Sequence, residues 1–278
     1  MNEVKKIRDN LFRQIKKLKI QDLVSVSLVG SFQYANKIES VSDVDLVIIV
    51  KELTPIVFNQ INSEFNDLAK MLSSKSTKYI VENRIGPFKP KASKYYKIMQ
   101  LHLIILDVDI LKSISMKAST LDWIKFNILI FGKKLSTLAG KNRLTKEAFL
   151  RDLEVCLSNL VSKTTYTKFF KIQDDKIILD KKQIKLSDEE YNEGIVYNII
   201  ISFLNYIRYF KPSTVKDKEV MLSQTKKLLP EHYKLLKKSF EIKDNLKNSK
   251  KVSKKELESL KQEGKEFIEE LINRIKST

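Results

Sequence analysis

Two apolar segments in the first fifty residues constrain the fold of this chain most strongly. The first, LVSVSLVG at residues 23–30, is rich in β-branched side chains and ends at Gly30. The second, DVDLVIIV at residues 43–50, begins with two carboxylates and continues with an unbroken apolar run. Both are typical of strands, and the second is apolar enough to be buried on both faces. The chain must therefore build a sheet that other elements cover.

The segments around these strands supply the covering elements. Residues 3–18 place apolar side chains at spacings of three and four, which predicts an amphipathic helix. Thr54 followed by Pro55 is typical of a helix start, and the helix is expected to run to about Leu72. Further strands are predicted at 78–83 and 95–110, with a proline-containing loop between them.

The pattern changes after Asn142, where helical periodicity dominates. Helices are predicted at 145–171, 187–210, 216–229, 231–247 and 253–276. The lysine-rich segment DDKIILDKKQIKL, between the first two, is expected to form a hairpin. We therefore predict an α+β fold, in which residues 1–142 form a mixed sheet with flanking helices and residues 143–278 form a helical bundle.

Composition excludes several classes of protein. No apolar run approaches the roughly 20 residues of a membrane span, and the N-terminal segment lacks the apolar core of a secretory signal. The single cysteine, Cys156, excludes a disulfide framework and lies in a helical apolar pattern that predicts a core position. We expect a cytoplasmic protein without a membrane partner.

The net charge of +18 allows two explanations. A basic surface can bind nucleic acid, but here 45 lysines accompany only 7 arginines, and arginine is the residue that usually reads phosphates and bases. The charge is also divided evenly between the two halves of the chain. A nucleic-acid partner and a general lysine bias both remain open.

The segment between the first two strands carries the chemistry. Gly30 and Ser31 end one strand, and Asp43 and Asp45 open the next with their side chains on the same side. Two neighbouring carboxylates repel each other unless a cation lies between them, and oxygen ligands of this kind suit Mg²⁺. Gly30 permits close approach of a nucleotide, and the Ser31 hydroxyl with nearby amides can hold a phosphate. The pattern indicates phosphoryl or nucleotidyl transfer.

The segment LVGSFQYANKIESVSDVDLVIIV, residues 28–50, resembles the signature of the DNA polymerase β-like nucleotidyltransferase superfamily. The resemblance implies a mixed sheet, two Mg²⁺ ions, and transfer of a nucleoside monophosphate from a triphosphate such as ATP. It assigns Gly30 and Ser31, together with Ser42, to nucleotide binding. It assigns Asp43 and Asp45 to the metal and to catalysis.

A second resemblance lies in the helical half. Residues 197–245 are similar to the C-terminal helical domain of aminoglycoside adenylyltransferases, which implies that the bundle binds the acceptor and closes over the nucleotide. In that family a lysine reaches the nucleotide phosphates. Lys218 matches this lysine, with Lys216 as the alternative, although Lys218 is also one of many lysines expected to be solvated.

The chain departs from the superfamily pattern at the third carboxylate. The matching strand, IMQLHLIIL at residues 98–106, offers Gln100 and His102 instead. His102 is a candidate general base because its ordinary pKa lies near neutrality, and a hydrogen-bonded structural histidine is the alternative. Asp107 is a candidate for a further metal ligand. It, or Asp109, could reach the site only if the strand is bulged or shifted in register. Glu82, on the preceding strand, is a more distant alternative.

Three functional readings follow. The first is an enzyme that moves an NMP, with AMP expected, to a hydroxyl acceptor. That acceptor is a small molecule or an RNA such as a tRNA end, and the basic charge disfavours a polycationic drug. The second is a catalytically weakened nucleotide- or RNA-binding module of the same fold. The third is a scaffold that binds a partner on its bundle.

Overall fold

In the computed structural model, residues 3–35, 41, 43–84, 96–114, 123–140, 144–211, 218–247 and 250–277 are described. These residues form two compact units. The first unit comprises the described residues up to 114 together with 123–140 and 166–182, and the second comprises 144–165 and the described residues from 183 onward. The fold is α+β, as predicted.

The first unit contains a five-stranded mixed sheet. Its strands are β1 (Leu23–Val29), β2 (Asp43–Val50), β3 (Thr77–Glu82), β4 (Lys97–Asp107) and β5 (Ile128–Gly132), arranged in the order β3-β4-β2-β1-β5. β2 and β3 both run parallel to β4, whereas β1 is antiparallel to β2 and to β5. The central strand β2 buries Leu46 and Ile48 on one face of the sheet and Val47 and Ile49 on the other, which explains its unbroken apolar run.

Two helices cover one face of this sheet. They are α1 (Glu3–Ile15) and α2 (Pro55–Leu72), and their apolar stripes pack against the alternate buried residues of the central strands. The Thr54 hydroxyl accepts a hydrogen bond from the Val57 amide and begins α2 directly before Pro55. A smaller core on the other face includes Val29, Val47 and Ile104. Residues of α3 (Val108–Ile114) and α4 (Leu135–Leu138) pack into this second core.

The strand predicted over 95–110 ends earlier than its apolar pattern suggests. β4 ends at Asp107, whose Oδ1 accepts a hydrogen bond from the Ile110 amide at 2.7 Å and caps the first turn of α3. A short aspartate side chain favours such a helix start, because it satisfies an amide that has no partner inside the helix.

The helix predicted over 145–171 is wrong in its second half. The helix α5 (Lys146–Val161) is followed by a hairpin of β6 (Thr164–Gln173) and β7 (Lys176–Lys185), so the predicted hairpin is real but begins ten residues before Asp174. The segment TTYTKFF is β-branched and aromatic, which favours an extended backbone. Asp174 and Asp175 form the two-residue turn with φ of 50° and 55°, as a tight hairpin turn requires.

The second unit is mainly helical. Besides α5 it contains α6 (Asp188–Phe210), α7 (Lys218–Leu228), α8 (Tyr233–Lys247) and α9 (Lys254–Lys276), close to the predicted segments. Ser187 and Ser253 begin α6 and α9 with reciprocal capping boxes to Glu190 and Glu256. Cys156 lies in the shared apolar core, as its pattern predicts. Within the described part of the chain, no helix combines the length and apolarity needed to cross a membrane.

Candidate functional site

Gly30 and Asp45 lie against each other where β1 ends and β2 begins. A Cβ atom added to Gly30 would lie 2.1 Å from Oδ2 of Asp45, far inside van der Waals contact. The backbone of Gly30, with φ 72° and ψ −164°, also occupies a region that only glycine adopts readily. Gly30 is therefore required twice, by its backbone angles and by the carboxylate that fills the space beside it.

The strand register aligns the polar side chains of the site in two cross-strand pairs. Asp43 lies opposite Gln100, and Asp45 lies opposite His102, on the parallel pair β2 and β4. Side chains two residues apart on a strand share one face, so both aspartates are on the side that carries Val47. The two aspartates and the glycine-containing turn are thus brought together as the sequence predicts.

His102 forms a direct contact with Asp45. Its Nδ1 lies 2.8 Å from Oδ1 of Asp45, and its Nε2 lies 3.0 Å from the carbonyl oxygen of Arg84. Both partners only accept hydrogen bonds, and a neutral imidazole has one N–H to donate. Only the protonated ring satisfies both contacts, and in that state it cannot accept a proton. The arrangement makes His102 a donor to Asp45 and disfavours the predicted role as general base.

The electrostatics agree with this protonation. Burial by itself lowers the pKa of His102, but the hydrogen bond and charge of Asp45, the Arg84 carbonyl and the charge of Asp43 together outweigh it. The net result is a pKa of His102 above its ordinary value. In this metal-free arrangement the imidazolium supplies the positive charge that the neighbouring carboxylates need.

Glu82 lies next to the pair formed by Asp45 and His102, on the neighbouring strand. It lies opposite His102 on β3, and Arg84 donates to its carboxylate from Nε at 2.8 Å and from a terminal nitrogen. Burial raises the pKa of Glu82, yet the hydrogen bonds and charge of Arg84, with the charge of His102, lower it overall. His102 stands between Glu82 and Asp45, so Glu82 does not join the aspartate pair as a third ligand.

The turn after Gly30 is held from the opposite side by α1. One terminal nitrogen of Arg8 donates to the carbonyl of Gln33 at 2.9 Å, and the guanidinium lies 5.6 Å from the ring centre of the fully buried Phe32. The Gln33 amide donates to the carbonyls of Gly30 and Phe126. Ser31 is exposed at the start of this turn. Sequence reasoning missed Arg8 and Gln33, because neither resembles a motif and both Arg8 and Phe126 are distant from the turn in sequence.

Asp107 does not reach the aspartate pair. The register places it opposite Val50, at the far end of β2, and its carboxylate caps α3. The strand runs without a shift, so the bulge that would bring Asp107 to the site is absent from the paired residues 100–107. Asp109 lies beyond it in α3, where its carboxylate pairs with Lys112. The position of Asp107 therefore gives no support to its predicted role as a metal ligand.

The remaining predicted residues lie elsewhere or outside the described part of the chain. Lys218 begins α7 in the second unit, where its ammonium pairs with Asp244 at 2.9 Å and lies 5.4 Å from the ring centre of Phe240. Ser42 and the alternative Lys216 fall outside the described residues. The proposed phosphate contact of Lys218 stays a prediction.

A separate titratable cluster in the second unit also went unpredicted. Carboxylate oxygens of Glu231 and Glu270 and a ring nitrogen of His232 all lie within 4.8 Å of one another. Arg274 donates to both glutamates, at 3.0 and 2.8 Å, and His232 contacts Glu270 at 3.0 Å. The guanidinium binds both carboxylates, so the cluster links the turn before α8 to helix α9.

Comparison with known proteins gives no name to this arrangement. No protein-family model matches the chain, and no curated protein is significantly similar to it. The chemistry of the site must therefore be argued from its own atoms. Two carboxylates on one strand face provide the oxygen donors that Mg²⁺ prefers. The neighbouring Gly-Ser turn provides an exposed hydroxyl beside them.

Proposed function

We propose that the first unit is a metal-dependent nucleotidyltransferase that moves an NMP, with AMP expected, from a triphosphate to a hydroxyl acceptor. One observation carries the proposal: the Oδ2 atom of Asp45 occupies the space beside Gly30 that a Cβ would fill. The Gly-Ser turn and the aspartate pair, separate in sequence, therefore form one continuous surface. A phosphate held by the turn lies next to carboxylates that can hold its counterion.

The residues divide the work as follows. Gly30 and Ser31 bind the phosphates through the backbone of the turn and the exposed hydroxyl, and Asp43 and Asp45 hold Mg²⁺. The bound metal would neutralise the phosphates and lower the pKa of the acceptor hydroxyl. Arg8 and Gln33 keep the turn in place beside Asp45. Ser42 and Lys218 are assigned to the nucleotide by the family resemblance alone.

The reaction needs a route for one proton. The acceptor oxygen bonds to the α-phosphorus, the bond to pyrophosphate breaks, and the hydroxyl proton must leave. Gln100 cannot take it, and both ring nitrogens of His102 are engaged with Asp45 and the Arg84 carbonyl, so the proton passes to solvent water. A missing general base costs on the order of 10²–10⁴ in rate, so we expect slow transfer.

The choice of acceptor follows from charge. At +18 the protein is a poor host for a polycation, which argues against an aminoglycoside. An RNA end, such as that of a tRNA, or a neutral or anionic small molecule fits better.

Label transfer from α-labelled ATP in the presence of Mg²⁺ tests the enzyme proposal. The double substitution D43N/D45N is expected to abolish transfer to tRNA or to small-molecule hydroxyl acceptors. D107N removes a carboxylate at the far end of the same strand pair and is expected to retain activity. Equal transfer by wild type and D43N/D45N would contradict the assignment.

A second candidate function is a nucleotide-binding module without turnover. It is favoured by the ion pair between His102 and Asp45 and by Gln100 opposite Asp43, since neither partner is the carboxylate that the resemblance implies. Calorimetric binding of Mg·ATP with no product over hours would support this candidate over the enzyme. Absence of any nucleotide binding would contradict both.

A further inference from the structure

The hairpin of β6 and β7 presents an exposed, basic and aromatic surface. We define the lysine ribbon as Tyr166, Lys168 and Lys181, all of which are exposed and lie on one face of the hairpin. Tyr166 is 54% exposed although it is a large aromatic side chain on a two-stranded ribbon. The Lys181 ammonium lies 5.3 Å from its ring centre, and Lys168 follows two positions later on the same strand face.

The carboxylates of the hairpin lie away from this face. Asp174 and Asp175 form the turn at the tip. Asp180 precedes Lys181 and therefore points to the opposite face, and its Oδ1 accepts a hydrogen bond from the Lys181 amide at 2.8 Å. The middle of the ribbon is thus a positive surface around an exposed ring.

The hairpin that carries the ribbon packs against the core of the first unit. Phe170 packs against Phe58 with ring centres 5.2 Å apart, and Ile177 contacts the same core. Phe58 lies in the first turn of α2, just after β2 ends, whereas Asp43 and Asp45 lie where β2 begins. Eight residues of strand span about 23 Å, so the ribbon is a surface separate from the aspartate pair.

We propose that the lysine ribbon binds a single-stranded polynucleotide. Lys168 and Lys181 offer two ammonium groups to phosphates, and the exposed ring of Tyr166 beside them offers a stacking surface to an unpaired base. A base pair inside a duplex cannot reach that ring. The acidic turn at the tip disfavours the other polyanionic partner, an anionic membrane, because the hairpin would have to bring Asp174 and Asp175 to it.

Fluorescence anisotropy with a labelled U20 RNA in EDTA tests this proposal. Wild type is expected to bind, with log K falling as log salt concentration rises. K168Q/K181Q should weaken binding and reduce the magnitude of that slope by about 1.4, since each single-strand phosphate contact contributes about 0.7. K5Q/K6Q, on exposed positions of α1, removes the same charge and should leave the slope near wild type.

Tyr166 separates stacking from charge. Y166A is expected to weaken U20 binding about tenfold with an unchanged salt slope, and to bind a duplex of equal length as wild type does. Circular dichroism checks that each variant is folded, and K181Q alone replaces the double variant if that one is not. D43N/D45N should bind U20 normally, so a failure of the proposed catalysis leaves this result independent.

Several outcomes would overturn the proposal. These are no binding of U20 by wild type at about 100 mM salt, equal losses in the ribbon and α1 variants, or an unaltered affinity in Y166A. Binding to vesicles rich in phosphatidylglycerol, lost in the ribbon variant while U20 binding persists, would identify the ribbon as a membrane contact instead.

Discussion

The Oδ2 atom of Asp45 lies where a side chain on Gly30 would begin. Because the other oxygen of the same carboxylate contacts His102 at 2.8 Å, Asp45 is fixed from both sides. The glycine thus determines how closely the turn approaches the carboxylate, and the histidine determines which charge faces it in the metal-free protein.

Substitution of Gly30 should be unusually costly. G30A places a non-glycine residue at φ 72° and ψ −164°, which costs about 1–3 kcal/mol, and adds a collision with Asp45. A double-mutant cycle with D45A, measured by denaturant unfolding, is expected to recover part of the loss. G140A provides the control, since Gly140 has φ 71° but no atom near its Cβ position. Identical effects of G30A in wild type and in D45A would refute the contact.

His102 should titrate above its ordinary pKa in the metal-free protein. NMR titration of the ring is expected to show a raised pKa, and D45N should lower it because burial then acts with less opposition. Since the folded pKa is raised, the stabilisation by His102 is complete below the unfolded pKa of about 6.5. It is lost as pH rises through the folded pKa.

The unfolding free energy measures that loss directly. As pH rises above about 6.5, wild type should lose stability that H102Q does not lose, because only wild type carries the imidazole with the raised pKa. A His102 pKa that is unchanged by D45N would argue against the contact.

Restoring a carboxylate opposite Asp45 should strengthen metal binding. H102D removes the imidazolium and adds a third oxygen donor, so Mg²⁺ affinity measured by calorimetry is expected to rise about tenfold. Without metal, H102D should unfold more readily because like charges then face each other, and Mg²⁺ should reverse this. H102N, which adds no charge, is the matched control. Equal Mg²⁺ affinities of H102D and H102N would argue against a metal site at the aspartate pair.

The packing of Phe170 on Phe58 should contribute to the stability of the protein. F170A removes the ring that packs on Phe58, and we expect a loss of about 1–2 kcal/mol in unfolding free energy. Y166A, on the same strand face but exposed, should change stability by no more than about 0.5 kcal/mol. Comparable losses in both variants would show that Tyr166 is a structural residue.

Local patterns were enough to predict much of this molecule. The apolar run of β2, the cap at Thr54 and the capping boxes of α6 and α9 are readable because their signals lie within a few neighbouring residues. The shared side of Asp43 and Asp45 follows from strand alternation alone. The segment 164–171 was mispredicted because its apolar residues also fit a helical period, and packing of Phe170 on a distant helix decides the matter.

The sequence by itself therefore determined the α+β class, the two strands of the candidate site and the shared side of its two aspartates. Only the tertiary structure decided that Asp45 contacts Gly30 and His102, that Asp107 lies at the wrong end of the strand, and that Arg8 holds the turn. The physical reason is the distance along the sequence over which each feature is set. Periodicity fixes which way a side chain points, whereas strand order and register fix which residue it meets, and these depend on burial across the whole sheet.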